Sequence, residues 1–210
     1  MIAVIAVLAA LLSPALGRTM ERGRAAKCAG NLRQVFLAAQ AFANDNQGRI
    51  VSGGGEYLIW SDALVPYAGL EFNTYGNNGA RPTGIFSCPS SKALCYGGAR
   101  ADFSVNYFAN GEGTAESSKE NLRFVSLPHP AKTIAFLDGA FPETKCNRAV
   151  APWIDAATWG IAFRHGDSKR GQGSANAIYF DGHLEAVKKT DLPLTGNAWQ
   201  KFPWEPKATE

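Results

Sequence analysis

MIAVIAVLAALLSPALGRTMERGRAAKCAGNLRQVFLAAQAFANDN, from Met1 to Asn46, is the stretch whose reading decides the fold. Met1 to Leu16 carries no charge, and Ile2 to Leu12 is apolar on every helical face, as in a helix surrounded by lipid or protein. A bilayer span takes about 20 apolar residues, so this run, interrupted by Ser13 and Pro14, is a short one. A secretory signal peptide would open on Lys or Arg, and no basic residue precedes Arg18. Beyond Arg18, apolar residues fall at Leu32, Val35, Phe36, Ala39, Phe42 and Ala43, the i, i+3, i+4, i+7 spacing of an amphipathic helix. The expected opposite face carries Arg22, Lys27, Asn31, Arg33 and Gln40. Asn44-Asp45-Asn46-Gln47-Gly48 then ends the helix with turn-favouring residues. The apolar and amphipathic parts are continuous, whereas a break normally follows a cleaved signal peptide.

Charge sharpens this division. The chain has 210 residues and a net charge of +3, which argues against a general nucleic-acid binder. The positive excess lies in the first fifty residues, where Arg18, Arg22, Arg24, Lys27, Arg33 and Arg49 face only Glu21 and Asp45. The rest is nearly neutral. Its hydrophobic fraction, 46%, excludes a wholly disordered chain.

After Gly48 short runs alternate with turn punctuation at Gly53-Gly54-Gly55, Gly76-Asn77-Asn78-Gly79 and Gly97-Gly98. Tyr57 to Trp60 and Ile85 to Cys88 are brief strand or loop candidates, and Ser61 to Tyr67 a short helix. Phe103 to Phe108, Lys132 to Asp138 and Thr158 to Arg164 read as extended. Ala175 to Phe180 and His183 to Lys188 flank Asp181-Gly182, which predicts a two-residue hairpin turn. Hairpin-joined strands imply an antiparallel sheet, and the amphipathic helix is expected to cover one face of it. The expected class is α+β. The expected organisation is an apolar helix over 1–17, its amphipathic continuation over 18–48, and a β-rich globular domain over 49–210.

Several motifs resemble those of type IV pilin-like proteins and type II secretion pseudopilins. In particular they resemble the group with a prepilin-type N-terminal methylation segment and a C-terminal H-x9-DG motif. Leu12-Ser13-Pro14-Ala15-Leu16 and Arg18 to Arg24 are similar to the end of that segment, and Cys28 with Asn31-Leu32-Arg33-Gln34 to C-x-x-N-L-R-Q. Trp60 to Leu64 with Pro66-Tyr67, Phe86 to Ser90, Pro130 to Thr133 with Asp138, Arg164-His165-Gly166, and Asn176 to His183 with Asp181-Gly182 follow in the family's order. The resemblance covers nearly the whole chain and implies a pilin-like fold. The chain departs from the pattern in three ways. The basic leader, the cleavage Gly and the Glu after it are absent; His165 and Asp181 stand further apart than nine residues, the extra length being the polar Asp167 to Gly173; and Cys95 and Cys146 are additional.

Four cysteines, Cys28, Cys88, Cys95 and Cys146, form no C-x-x-C, which disfavours zinc-ribbon and thioredoxin readings. They allow three disulfide pairings or free buried thiols. The positions of Cys28 and Cys88 in the family-like motifs imply that those two pair, leaving Cys95 with Cys146. No H-E-x-x-H, nucleophile-elbow, Walker or dinucleotide signature occurs. Asp138, His165, Asp181 and His183, near the ends of expected strands, are the candidate metal ligands; the rival reading gives them only turn and strand-pairing roles, with His165 bonded to Asp181 or to backbone. No cofactor is expected beyond a structural calcium of the kind some pseudopilins hold, and too few oxygen ligands can be named for it. Trp199 and Trp204 in the Pro-rich tail read as a cap over the core or as a surface for sugars.

The resemblance implies a structural pseudopilin-like subunit, not an enzyme. It would be a single-pass protein of the inner membrane with its globular domain in the periplasm. Its partners would be the membrane, like subunits in a filament, and a prepilin peptidase acting on a leader. The alternatives are a membrane-tethered module binding carbohydrate and a metal-dependent hydrolase using Asp138, His165, Asp181 and His183. Basic residues after an apolar segment favour leaving that side in the cytoplasm, so the coding start is expected upstream of Met1. The DNA before Met1 should read, in frame, a basic leader and a G-F-T-L-I-E-like stretch; its absence there would argue against pilin-type processing.

Overall fold

The expected long helix is realised as α1, Ile2–Asp45, which continues through Pro14. The computed structural model describes residues 2–51, 60–71, 83–92, 101–106, 123–140, 160–167 and 172–192. Cys28, Leu32, Val35, Phe36, Ala38, Ala39 and Ala43 are buried on one face of α1. Ile5 and Leu16 to Met20 are exposed, and among the described residues the buried positions of α1 begin at Cys28. Past Asp45 the chain turns through Gln47 and Gly48, both with positive φ, and the Gly48 N–H donates to the carbonyl of Ala43 at 2.7 Å. Gly satisfies that left-handed geometry without a Cβ penalty. Asn31 departs from expectation. It lies three residues after Cys28 and four before Val35, hence on the buried face, and its Nδ2 donates to the Ser87 carbonyl at 2.7 Å.

A short helix α2, Trp60–Leu64, and a tight turn Pro66–Ala68 pack against α1. Another tight turn, Gly84–Phe86, occupies the position expected for a strand or loop. The fully buried Trp60 meets Phe86 edge to face at 5.9 Å and Phe136 at 5.4 Å, so this motif residue is a core anchor.

The sheet comprises β1 (Phe103–Val105), β2 (Ile134–Ala140), β3 (Gly160–Ile161), β4 (His165–Asp167), β5 (Gln172–Tyr179) and β6 (Leu184–Lys188). All of its pairings are antiparallel, in the order β1-β2-β5-β4, with β3 on β2 and β6 on β5. The architecture is therefore α+β. A register shift between Ile134 and Phe136 lets Ala135 and Phe136 both join the core under α1, while Ile134 and Leu137 face a second apolar cluster with Ala175, Ala177, Tyr179 and Val187. That shift fixes the face on which Asp138 emerges.

Two expectations change in detail. Asp167 pairs with Gln172, and Gly166 with Gly173, so the polar insertion begins and ends as strand rather than forming one long loop. The β5–β6 turn holds three residues, not two. Tyr179 N–H bonds His183 O and Gly182 N–H bonds Tyr179 O, with Gly182 at φ 89°. Only Gly182 needs the left-handed region, as in a type I turn closed by a glycine bulge. Any Cβ there would also stand 3.2 Å from the Phe36 ring, a close approach that ties the turn to α1.

Among the described residues no helix is long and apolar enough to cross a membrane. The Gly-rich segments 53–55, 76–79 and 97–98, together with Cys95, Cys146, Trp199 and Trp204, lie outside the described residues. Leu32→Ala, on the buried face, should cost about 2–5 kcal/mol in urea unfolding, while Leu37→Ala, on the exposed face, should stay within about 0.5 kcal/mol. Equal losses would contradict this packing of α1.

Candidate functional site

Four side chains with metal-binding chemistry meet under α1: Cys28, Cys88, Asp138 and His165, each buried, with one donor atom apiece all within 4.8 Å of one another. Each arrives by a separate route. Cys28 is on the buried stripe of α1. Cys88 follows the turn that ends at Phe86. Asp138 lies in β2, on the face set by the register shift at Ala135. His165 opens β4, held by its pairing with Ser174 in β5.

The contacts are specific. Cys28 Sγ donates to Asp138 Oδ1 at 3.2 Å, and His165 Nε2 lies 3.1 Å from Asp138 Oδ2 and 3.6 Å from Cys88 Sγ. The backbone N–H of Asn176 donates to Asp138 Oδ2 at 2.7 Å. On the far side of the imidazole, His165 Nδ1 stands 3.4 Å from Glu21 Oε1, which also accepts from Ser90 Oγ at 2.8 Å. A second buried carboxylate flanks the cluster. Asp102 accepts from the Cys88 N–H at 2.7 Å and from Ser91 Oγ, and pairs with Arg164 Nη1 at 3.6 Å. Arg164 Nη2 donates to the Gly139 carbonyl.

These neighbours set the proton affinities. Burial alone would raise the Asp138 carboxyl, but the hydrogen bond to His165 and the positive charges of Arg164 and His165 outweigh it and hold it below the usual carboxylate range. Burial alone would lower His165, yet its bonds to Asp138 and Cys88 push it up to about 10. Asp102 is raised by burial despite Arg164 and Ser91. The neighbouring Cys28 thiol, with His165, draws Cys88 down to about 6 against burial. The adjacent Cys88 side chain, then burial and the Asp138 charge, push Cys28 far up.

The predicted constellation is thus split. Asp138 and His165 come together, but with Cys28 and Cys88. Asp181 and His183 sit on the solvent-facing β5–β6 turn, bonded to each other at 2.6 Å, with His183 stacked on Tyr179. His165 bonds Asp138 rather than Asp181, because β4 pairs at the opposite end of β5 from that turn. The four-residue hydrolase arrangement is therefore not assembled. Calcium does not suit the cluster either: it takes six to eight oxygen ligands, and of the four clustered residues only Asp138 supplies oxygen.

Cys28 and Cys88, expected to pair, are neighbours and both free thiols. Sequence reasoning missed Glu21, Asp102 and Arg164. Glu21 left a signal, as the only acid in the basic stretch Arg18 to Lys27, and Arg164 lies inside the R-H-G motif; Asp102 left none. Comparison with protein-family models, with curated proteins and with solved structures gives no match to this chain.

Removing Asp138 leaves the His165 ring and the Asn176 N–H without their buried acceptor. Asp138→Ala should therefore cost about 3–5 kcal/mol, whereas Asp181→Ala, on the exposed turn, should cost about 1 kcal/mol or less. Chemical denaturation of both variants checks this, and a cheap Asp138→Ala would contradict the assigned network.

Proposed function

We propose that the chain is a pilin-type structural subunit, not an enzyme. It is anchored by the apolar start of α1 in the inner membrane, carries its globular domain in the periplasm, and assembles with like subunits of a type II secretion or type IV pilus-like system. The observation that carries this reading is the division of α1. One continuous helix of 44 residues buries its second half against the sheet, while Ile5, Leu16 and Met20 on its first half are more than half exposed. At 1.5 Å per residue, the part before Cys28 extends about 39 Å.

Residues 2–12 and 15–16 are all apolar in sequence. Leaving such side chains in water forgoes about 1.5–3 kcal/mol each for the larger ones, so a cover is required. Lipid and a bundle of like helices both meet that need, since a helix satisfies its own backbone in either setting. The basic residues Arg18, Arg22, Arg24 and Lys27 follow directly, where anionic headgroups would meet them. The cluster of Cys28, Cys88, Asp138 and His165 is closed to solvent, which suits a structural part better than a catalytic one.

Expressed from its own gene with the upstream region intact, the chain should pellet with membranes and resist carbonate extraction. A version beginning at Arg18 should move to the soluble fraction. Leu16→Cys in the full chain should cross-link copies to one another under mild oxidation. Recovery of the unaltered chain as a soluble monomer would overturn the reading.

A further inference from the structure

We infer that Cys28, Cys88, Asp138 and His165 form a structural site for a zinc-class divalent cation that fastens α1 to the sheet. The first support is the spacing of the donors. Zinc–ligand bonds of about 2.0–2.3 Å at tetrahedral angles put neighbouring donor atoms about 3.3–3.8 Å apart. The four donors lie within 4.8 Å of one another, with His165 Nε2 3.1 Å from Asp138 Oδ2, Cys28 Sγ 3.2 Å from Asp138 Oδ1, and Cys88 Sγ 3.6 Å from His165 Nε2. Contraction by a few tenths of an ångström is what direct hydrogen bonding between the donors produces.

The second support lies one layer out. Metal-bound histidines characteristically aim the remaining ring nitrogen at a carboxylate, and bound carboxylates take a hydrogen bond on their other oxygen. His165 turns Nδ1 toward Glu21 Oε1 while Nε2 faces the cluster. Asp138 turns Oδ1 to Cys28, while Oδ2, which lies 3.1 Å from His165 Nε2, also receives the Asn176 N–H. Glu21 is held in turn by Ser90 Oγ. Neither orientation follows from burial of apolar groups.

The third is chemical class. Two sulfurs, one imidazole and one carboxylate are a borderline-soft set that suits zinc and not calcium or magnesium. A closed site with four protein ligands is of the structural kind, with no position left for a substrate. On binding, two protons leave to solvent, one from the Cys28 thiol and one from the hydrogen-bonded Cys88–His165 pair, as the metal–sulfur and metal–nitrogen bonds form. Cysteine oxidation is the competing chemistry: an oxidant would take two electrons from Cys28 and Cys88, release two protons and join the sulfurs. The structure holds both as free thiols.

The test uses the full chain, purified in detergent without added chelator. Elemental analysis should find roughly one zinc per chain, and cobalt added to the zinc-stripped protein should give thiolate-to-cobalt charge-transfer bands with visible bands of tetrahedral type. Chelator should lower the thermal unfolding midpoint, and zinc should restore it. His165→Ala and Cys28→Ser should lose the metal; should either fail to fold, the cobalt spectrum of the unaltered chain decides alone. A mass two hydrogens lighter under non-reducing conditions, with a Cys28–Cys88 cross-link and no metal, would overturn the site. So would zinc retained undiminished by both variants, or cobalt giving no thiolate bands. None of these results bears on membrane anchoring, which rests on residues 2–16.

Discussion

A carboxylate removed entirely from water is the constraint on which the rest of the structure depends. Asp138 has no solvent exposure. An ionised carboxylate in such a place is tolerable only when charged and hydrogen-bonding groups surround it. Its partners are far away in sequence: Cys28 lies 110 positions before it on α1, and the Asn176 N–H lies 38 positions after it in β5. His165 comes from β4. Satisfying one side chain therefore brings a helix and three strands to one point. The register shift at Ala135 belongs to the same arrangement, because it places Asp138 toward α1 while Leu137 faces the other layer.

Much of this architecture was legible in the sequence because it depends on local periodicity. The 3.6-residue repeat of Leu32, Val35, Phe36, Ala39 and Ala43 gave α1 and its buried face. Asn31 is polar yet lies on the core side, because its angle on the helix, three residues after Cys28 and four before Val35, outweighs its polarity. β4 was missed since His165-Gly166-Asp167 has no apolar alternation, and its strand character comes wholly from pairing with β5. At Asp181-Gly182 the turn was legible, but its length depended on which residue took the left-handed conformation.

The site was half legible. Asp138 and His165 stood out as residues able to do chemistry, and Cys28 and Cys88 as partners for one another. That the two pairs converge is a property of the tertiary fold, and no spacing encodes it. Asp181 and His183 were drawn in by their closeness to β5, yet the turn that holds them points them into solvent. Asp102 left no sign in the sequence and Arg164 only its place beside His165, because their roles lie in the Cys88 N–H and the Gly139 carbonyl, which are backbone groups.

Among the described residues Cys28 is the first of α1 to be fully buried, so the cluster sits where the helix joins the domain. Before it, Glu21 still reaches Ser90 and His165, while Ile5, Leu16 and Met20 are exposed apolar residues. On the proposed reading, a load along the anchor reaches the domain at this junction, and the groups gathered there keep helix and sheet together. The most direct test is amide hydrogen exchange along the full chain, with and without Asp138→Asn. The account predicts that the substitution strips protection from Cys28 to Phe36 in α1 and from Asn176 in β5 together, as one cooperative unit. Unchanged protection of Cys28 to Phe36 would contradict it, and would mean that apolar contacts alone hold α1 in place.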